Sequence, residues 1–382
     1  MTESAISKRD VSLDITRIFA FVSVPAIHFF LNSGYSIVPV EGKRMYLMTY
    51  GRTFFMVCVP LFMILSGYLM ITKDINLEKK SIFKFYSKLA KVLVTYLLTT
   101  LAIIIYRVYF LKEPLSVQDG VFNILGYKQY AWYVNMYIGC YLLVPLLNAL
   151  WKVTDTKHGH FCIVIILCAL TVAPSIFNAY DFLTPNALIK PWLSVSYNQI
   201  VPNWWSSIYP ITYYYIGAYL RTNIDVKKLK TWKILLLLIC SVSIFGTYNI
   251  WRSYSIKFVW GPWCDWGSLQ NTVNATLVFL LINSISIPSP NVIVGKAIKL
   301  ISGLTFGAYI ISWIPDQIYY SKLAEAVPDI HLRANYFPIV VGKVVVFALA
   351  VSFGIYLIIT LFSKIYGFVK LKLNSKNNNC SI

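Results

Sequence analysis

Apolar residues fall along this chain in long blocks, separated by short segments that hold most of the Lys and Arg. A hydrocarbon core about 30 Å thick requires roughly 20 apolar helical residues. Ten blocks read that way, at about 13–31, 53–71, 89–110, 132–150, 160–177, 207–220, 234–251, 269–287, 301–319 and 336–362, the sixth being short and weak. The pattern predicts an all-α, polytopic integral membrane protein of about ten transmembrane helices. No polar, Pro/Ser-rich or repetitive stretch divides it, so residues 1–382 are expected to form one membrane-embedded domain with no appended soluble domain.

Composition sharpens this reading. Of 382 residues, 58% are apolar and 13% charged, about half the charge usual for a water-facing surface. That excludes a disordered chain and an ordinary cytosolic enzyme. The formal charge of +19 would suit a nucleic-acid binder, but the basic residues lie between apolar blocks and not on one polar domain, so no nucleic-acid partner is expected. The seven cysteines form neither a CxxC pair nor a disulfide ladder, and no metal site is expected. A secreted disulfide scaffold is thereby excluded as well.

Cytoplasmic loops carry the excess of Lys and Arg. With the N-terminus inside, the inner loops hold 21 basic residues and the outer loops 11, so both termini are predicted cytoplasmic. The first block could serve as a signal peptide behind Lys8 and Arg9, but Phe29, Phe30 and Leu31 extend it and no small-x-small cleavage site follows, which favours a retained span.

Ionisable residues inside a membrane are functional candidates, and the first block holds Asp14, Arg17 and His28. Asp14 and Arg17, three apart, can meet on one helical face. Arg17 and His28, eleven apart, share a face about 16 Å apart along the axis. Arg17 lies near the inner boundary, where a cation can meet an anion arriving from the cytosol. His28 lies past the midplane, where an imidazole can serve as general base or simply pack across the bundle.

The run from Lys8 to Arg17, followed by ten residues and His28, resembles the first helix of the membrane acyltransferase-3 family, which O-acetylates carbohydrates at and outside the cell surface. Further matches follow in order: Val59–Tyr68, the basic pair Lys88 and Lys91, Ala131–Val134 with Tyr141–Pro145, and Thr305–Ile311. Two departures stand out. The basic pair is Lys/Lys where the family usually has Arg, and Ser312 stands where many members carry His. Lys cannot make the bidentate phosphate contact of Arg, and Ser312 is a poor catalytic candidate.

The resemblance implies a plasma-membrane O-acetyltransferase with acetyl-coenzyme A as co-substrate and no tightly bound cofactor. Asp14, Arg17 and His28 would form its catalytic set. Lys88, Lys91 and Arg17 would meet the donor phosphates, although the six lysines between Lys73 and Lys91 also fit plain topology and lipid headgroup attraction. The acceptor would be a surface glycan or a lipid-linked saccharide. Trp260, Trp263 and Trp266 crowd around Asp265 in one loop and could hold a sugar, while Trp192, Trp204 and Trp205 lie in another; interfacial aromatic belts look similar. His158 and His160 read as solvated, and Lys343 could snorkel or pair with Asp316.

The runner-up is a polytopic transporter or lipid-linked sugar flippase with Arg17, His28 and Lys343 as a charge path. Such proteins commonly carry paired repeats, and none is evident here. No HExxH, P-loop or GxSxG is present, so the chemistries those motifs serve lack their residues.

Overall fold

The computed structural model describes residues 10–75, 78–181, 190, 197–287 and 291–379, with side chains to 365; Lys8, Arg9 and Trp192 lie outside it. The described chain folds into helices α1 (Val11–Asn32), α2 (Gly42–Phe55), α3 (Cys58–Met70), α4 (Lys79–Tyr86), α5 (Leu89–Tyr109), α6 (Val117–Leu125), α7 (Trp132–Thr154), α8 (Lys157–Thr171) and α9 (Pro174–Phe177). These are followed by α10 (Tyr209–Asn223), α11 (Thr231–Arg252), α12 (Leu269–Ser284), α13 (Val292–Ile311), α14 (Trp313–Ala326), α15 (Ile330–Arg333) and α16 (Phe337–Asn379). Among the described residues, eight helical segments are long and apolar enough to cross a membrane. They coincide with eight of the ten expected spans. The other two, α10 and α12, have only 15 and 16 residues.

Both short helices lie inside the bundle. Nine residues of α10, from Pro210 to Leu220, are buried, and the helix seats against α3 by reciprocal glycine contacts. A Cβ on Gly67 would stand 1.9 Å from the Tyr214 carbonyl oxygen, and one on Gly217 would stand 2.0 Å from that of Ile64. Small residues at facing positions let two backbones approach where lipid offers no hydrophobic drive to pack helices. The tyrosines that weaken the apolar signal of α10 are satisfied inside: Tyr214 donates to Asn148 Oδ1 at 2.7 Å and Tyr215 to the Leu147 carbonyl at 3.0 Å.

Prolines break two of the predicted spans. Pro60 has no N–H to give Met56, so the second span divides into α2 and α3. The helix also begins earlier than expected, at Gly42, on a buried stripe of Met45, Met48, Thr49, Arg52 and Thr53. Arg52, assigned to an outer loop from the sequence, is instead buried between the Phe258 and Trp260 rings, 4.2 Å from each. The ninth span is shifted in the same way. It runs over Val292–Ile311, not 301–319, and the chain breaks at Ser312 because Pro315 cannot donate to Ile311.

His160 is a further correction. It is buried, with its ring stacked on Trp151 at 3.7 Å and its Nε2 bonded to the Trp151 carbonyl at 3.0 Å. An aromatic face, the Trp151 carbonyl and the Asn223 amide, 3.1 Å from Nδ1, take the place of the expected water.

Candidate active site

Helix α1 carries the candidate chemistry. Asp10 caps it, its side chain accepting from Ser12 N–H at 3.0 Å, and thirteen of its residues are buried. Near its start, Arg17 Nη1 lies 3.2 Å from Asp14 Oδ1, as the three-residue spacing predicts. Ser302 of α13 joins them: its hydroxyl donates to Asp14 Oδ1 at 2.7 Å and accepts from Arg17 Nη1 at 2.8 Å. The buried carboxylate is thus paired and hydrogen-bonded, as burial of a charge requires. Arg17 stays partly open, its side chain 28% exposed.

The far end of α1 holds a second polar group. His28 Nδ1 lies 2.9 Å from Asp316 Oδ2, and the same oxygen accepts from the Tyr130 hydroxyl at 2.8 Å. The Tyr130 ring also packs on the imidazole with centroids 4.0 Å apart. Asp316 belongs to the first turn of α14, where the positive end of the helix dipole favours a carboxylate. The break at Ser312 creates that helix start. Ser312 itself is buried and its hydroxyl donates to the Tyr309 carbonyl, so it shapes the turn.

The two groups share one register. Asp14 with Ser302 and His28 with Asp316 are both separated by 288 positions, so α1 and the α13–α14 segment rise side by side, in parallel. A carboxylate accepts, so His28 Nδ1 carries the proton, and in the neutral ring Nε2 then presents a bare lone pair. That is the tautomer a general base needs. Asp316 and Tyr130 were not singled out with His28 from the sequence. Lys343, considered there as a partner for Asp316, lies instead 5.9 Å from the Tyr319 ring.

A cavity of about 190 Å³ opens beside Arg17, walled by Ser66, Met70, Tyr137, Phe306 and, at its far end, Tyr133 and Tyr309. The Tyr309 hydroxyl donates to the Tyr130 carbonyl. That hydrogen bond ties the cavity wall to Tyr130, while His28 itself does not line the cavity. Neither Lys88 nor Lys91 lines it. Lys91 lines a neighbouring groove of about 810 Å³ between α5, α13 and α16, with Val92 and Phe306 as the shared wall. Lys73, just past α3, reaches the surface, and desolvation of its ammonium together with the Lys88 charge holds it below the usual lysine range. Lys73 and Lys88 thus concentrate positive charge at the α1 N-terminal face.

The three loop tryptophans do not form one surface. Trp263 is buried, with the Arg252 guanidinium 3.8 Å above its ring. Trp266 packs on Trp132 with centroids 5.8 Å apart. Only Trp260 and Asp265 line the far-face cleft, which has a volume of about 470 Å³.

The described chain is thus a bundle of membrane-spanning helices with Arg17 at one end of α1 and a carboxylate-held histidine at the other, the build of an integral membrane protein with a polar interior. Residues 10–363, nearly the whole chain, match the acyltransferase domain family of type 3, and the protein belongs to it. It is accordingly a multi-pass membrane acyltransferase, acting between an acyl donor and an acceptor. No curated protein and no solved structure gives a match.

Proposed function

We infer that this protein is a plasma-membrane O-acyltransferase that moves an acetyl group from acetyl-coenzyme A to a hydroxyl of a surface polysaccharide or lipid-linked glycan. The observation that carries the reading is the pairing of His28 with Asp316, with a cavity beside Arg17 whose wall reaches Tyr130 through Tyr309. A donor with its charged head and its thioester at opposite ends suits that layout, since Arg17 and His28 are about 16 Å apart by helical rise.

The lysine asymmetry supports a cytosolic N-terminal face, where Arg17, Lys73 and Lys88 attract the phosphates of the donor. The pantetheine arm follows the cavity past Tyr133 toward Tyr309. At the far end, His28 Nε2 takes the proton of the acceptor hydroxyl while that oxygen bonds to the thioester carbonyl carbon. The carbon–sulfur bond then breaks, and the proton passes from His28 to the departing sulfur. Products are an O-acetyl ester and free coenzyme A, and charge balances throughout. Asp316 holds the imidazole in its working tautomer and offsets the imidazolium formed on the way.

Coenzyme A release from acetyl-coenzyme A by the purified protein tests the reading. Wild type should release it and His28→Ala should not, although both insert and fold. A protein with no thioester turnover under any acceptor condition would instead favour the transporter reading.

A further inference from the structure

The far-face cleft holds a second set of polar groups that the chemistry at His28 does not use. Gln199, Asn203, Ser206 and Ser207 line it, and among the described residues no side-chain hydrogen bond occupies any of them. Asp265 lines it as well. One Asp265 oxygen accepts the Trp266 N–H at 2.7 Å, and the other remains available. The sixth element is Trp260, whose indole is 42% exposed and stands over Arg52.

The walls carrying these groups are fixed. Asn178 clamps the backbone next to Gln199, donating to the Val201 carbonyl at 2.7 Å and accepting from Ile200 N–H at 2.7 Å and Val201 N–H at 2.9 Å. Ser175 Oγ accepts the Leu269 N–H at 3.0 Å and so ties the start of α12 to the same wall. Arg52 backs the Trp260 ring from inside the protein, is itself only 2% exposed, and cannot reach a ligand in the cleft. A flat apolar face, several uncommitted donors and acceptors on rigid supports, and a volume of about 470 Å³ describe a small-ligand site of ordinary size.

Charge then narrows the ligand. The protein carries +19 overall, yet no Lys or Arg lines the cleft among the described residues, and its one charged side chain is the Asp265 carboxylate. An anionic group seated there would meet like charge at Asp265, while the nearest cation, Arg52, stands behind the indole and out of hydrogen-bond reach. A polyhydroxylated neutral molecule instead lays its C–H face on the indole and offers hydroxyls to Gln199, Asn203 and Asp265 Oδ2. The loop that carries Asp265 also touches the segment that carries Tyr130: Trp266, next to Asp265, packs on Trp132, two residues beyond Tyr130.

We propose that this cleft is the acceptor subsite and that it selects an uncharged saccharide segment, one without carboxylate or phosphate, through Trp260, Gln199 and Asp265. The proposal rests on the acyltransferase reading for its role but is tested by binding alone. The full-length protein in nanodiscs is titrated with neutral probes (chito-, cello- and malto-oligosaccharides) and anionic probes (oligogalacturonate and hyaluronan fragments), using saturation-transfer NMR without any donor. At least one neutral probe should bind at millimolar concentration or below, at least tenfold tighter than either anionic probe. Trp260→Ala and Gln199→Ala should each weaken it about tenfold while leaving the thermal midpoint in the same nanodiscs unchanged. Asp265→Asn should narrow the gap between neutral and anionic probes. Binding of the anionic probes as tight as that of the neutral ones, no binding by any probe, or variants that bind like wild type would each overturn it. Saccharide binding without coenzyme A release would instead remove the acyltransfer reading and leave the cleft assignment standing.

Discussion

Replacing Asp316 by Asn tests the catalytic geometry with almost no change in shape. Asp316 Oδ2 accepts from both His28 Nδ1 and Tyr130, so it acts as an acceptor in both contacts. An asparagine keeps the size but loses the charge, and its amide can turn an N–H toward His28 Nδ1. That interaction requires the opposite tautomer, with the proton on Nε2, where the acceptor hydroxyl needs a lone pair. A positioned general base contributes about 10²–10⁴-fold, and a base held in the wrong tautomer loses most of that. The expected loss in kcat is therefore about 10²–10⁴-fold, equivalent to about 3–5 kcal/mol of barrier. Donor KM should change by less than about threefold, because Asp316 is about three helical turns from Arg17 in the shared α1 register. Single-turnover transfer of labelled acetyl provides the assay, with the His28→Ala and double variants measured alongside. Two residues acting as one unit should give a double variant little worse than His28→Ala. Transfer by Asp316→Asn within threefold of wild type, or losses that multiply in the double variant, would refute the tautomer argument.

Other expectations follow from different parts of the molecule. Lys73→Ala with Lys88→Ala should raise donor KM about tenfold at low salt with kcat little changed, and the variant KM should rise less with ionic strength than that of wild type. Lys91→Ala should change donor KM less than twofold, because its side chain lines the groove between α5, α13 and α16 and does not join Lys88 in acting on Lys73; equal effects of Lys88 and Lys91 would place the phosphates elsewhere. Gly217→Ala should destabilise the fold by about 1–3 kcal/mol or more, since the new methyl would stand 2.0 Å from the Ile64 carbonyl oxygen. A thermal midpoint equal to that of wild type in the same lipid would contradict the close α3–α10 contact.

The apolar blocks made the helices legible in the sequence wherever the bilayer is the solvent. They were poor guides where protein replaces lipid. Helix α10 is rich in tyrosine because its neighbours supply acceptors, so its hydropathy falls although it lies inside the bundle. Arg52 looked like a loop residue for the same reason: two aromatic rings and burial take the place of water. The spacing of Asp14, Arg17 and His28 disclosed one helical face because those contacts repeat over three and eleven residues. Asp316 was hidden by its distance of 288 positions from His28, which no local periodicity reports. The one signal available was Pro315, which marks the end of α13 and hence a helix start with an acid in its first turn. Grouping Trp260, Trp263 and Trp266 by sequence failed because a loop turning through Gly261 and Pro262 sends the three rings to three different surroundings.

Sidedness is the central claim, since the account requires an anionic donor at the Arg17 face and the acceptor at the face beyond His28. Inverted and right-side-out membrane vesicles from cells expressing the protein, each given labelled acetyl-coenzyme A outside only, separate the two faces in one experiment. Label should enter glycan in inverted vesicles, whose exposed surface is the cytosolic one, and His28→Ala should abolish it. Label entering glycan only in right-side-out vesicles would contradict both the topology and the path from Arg17 to His28.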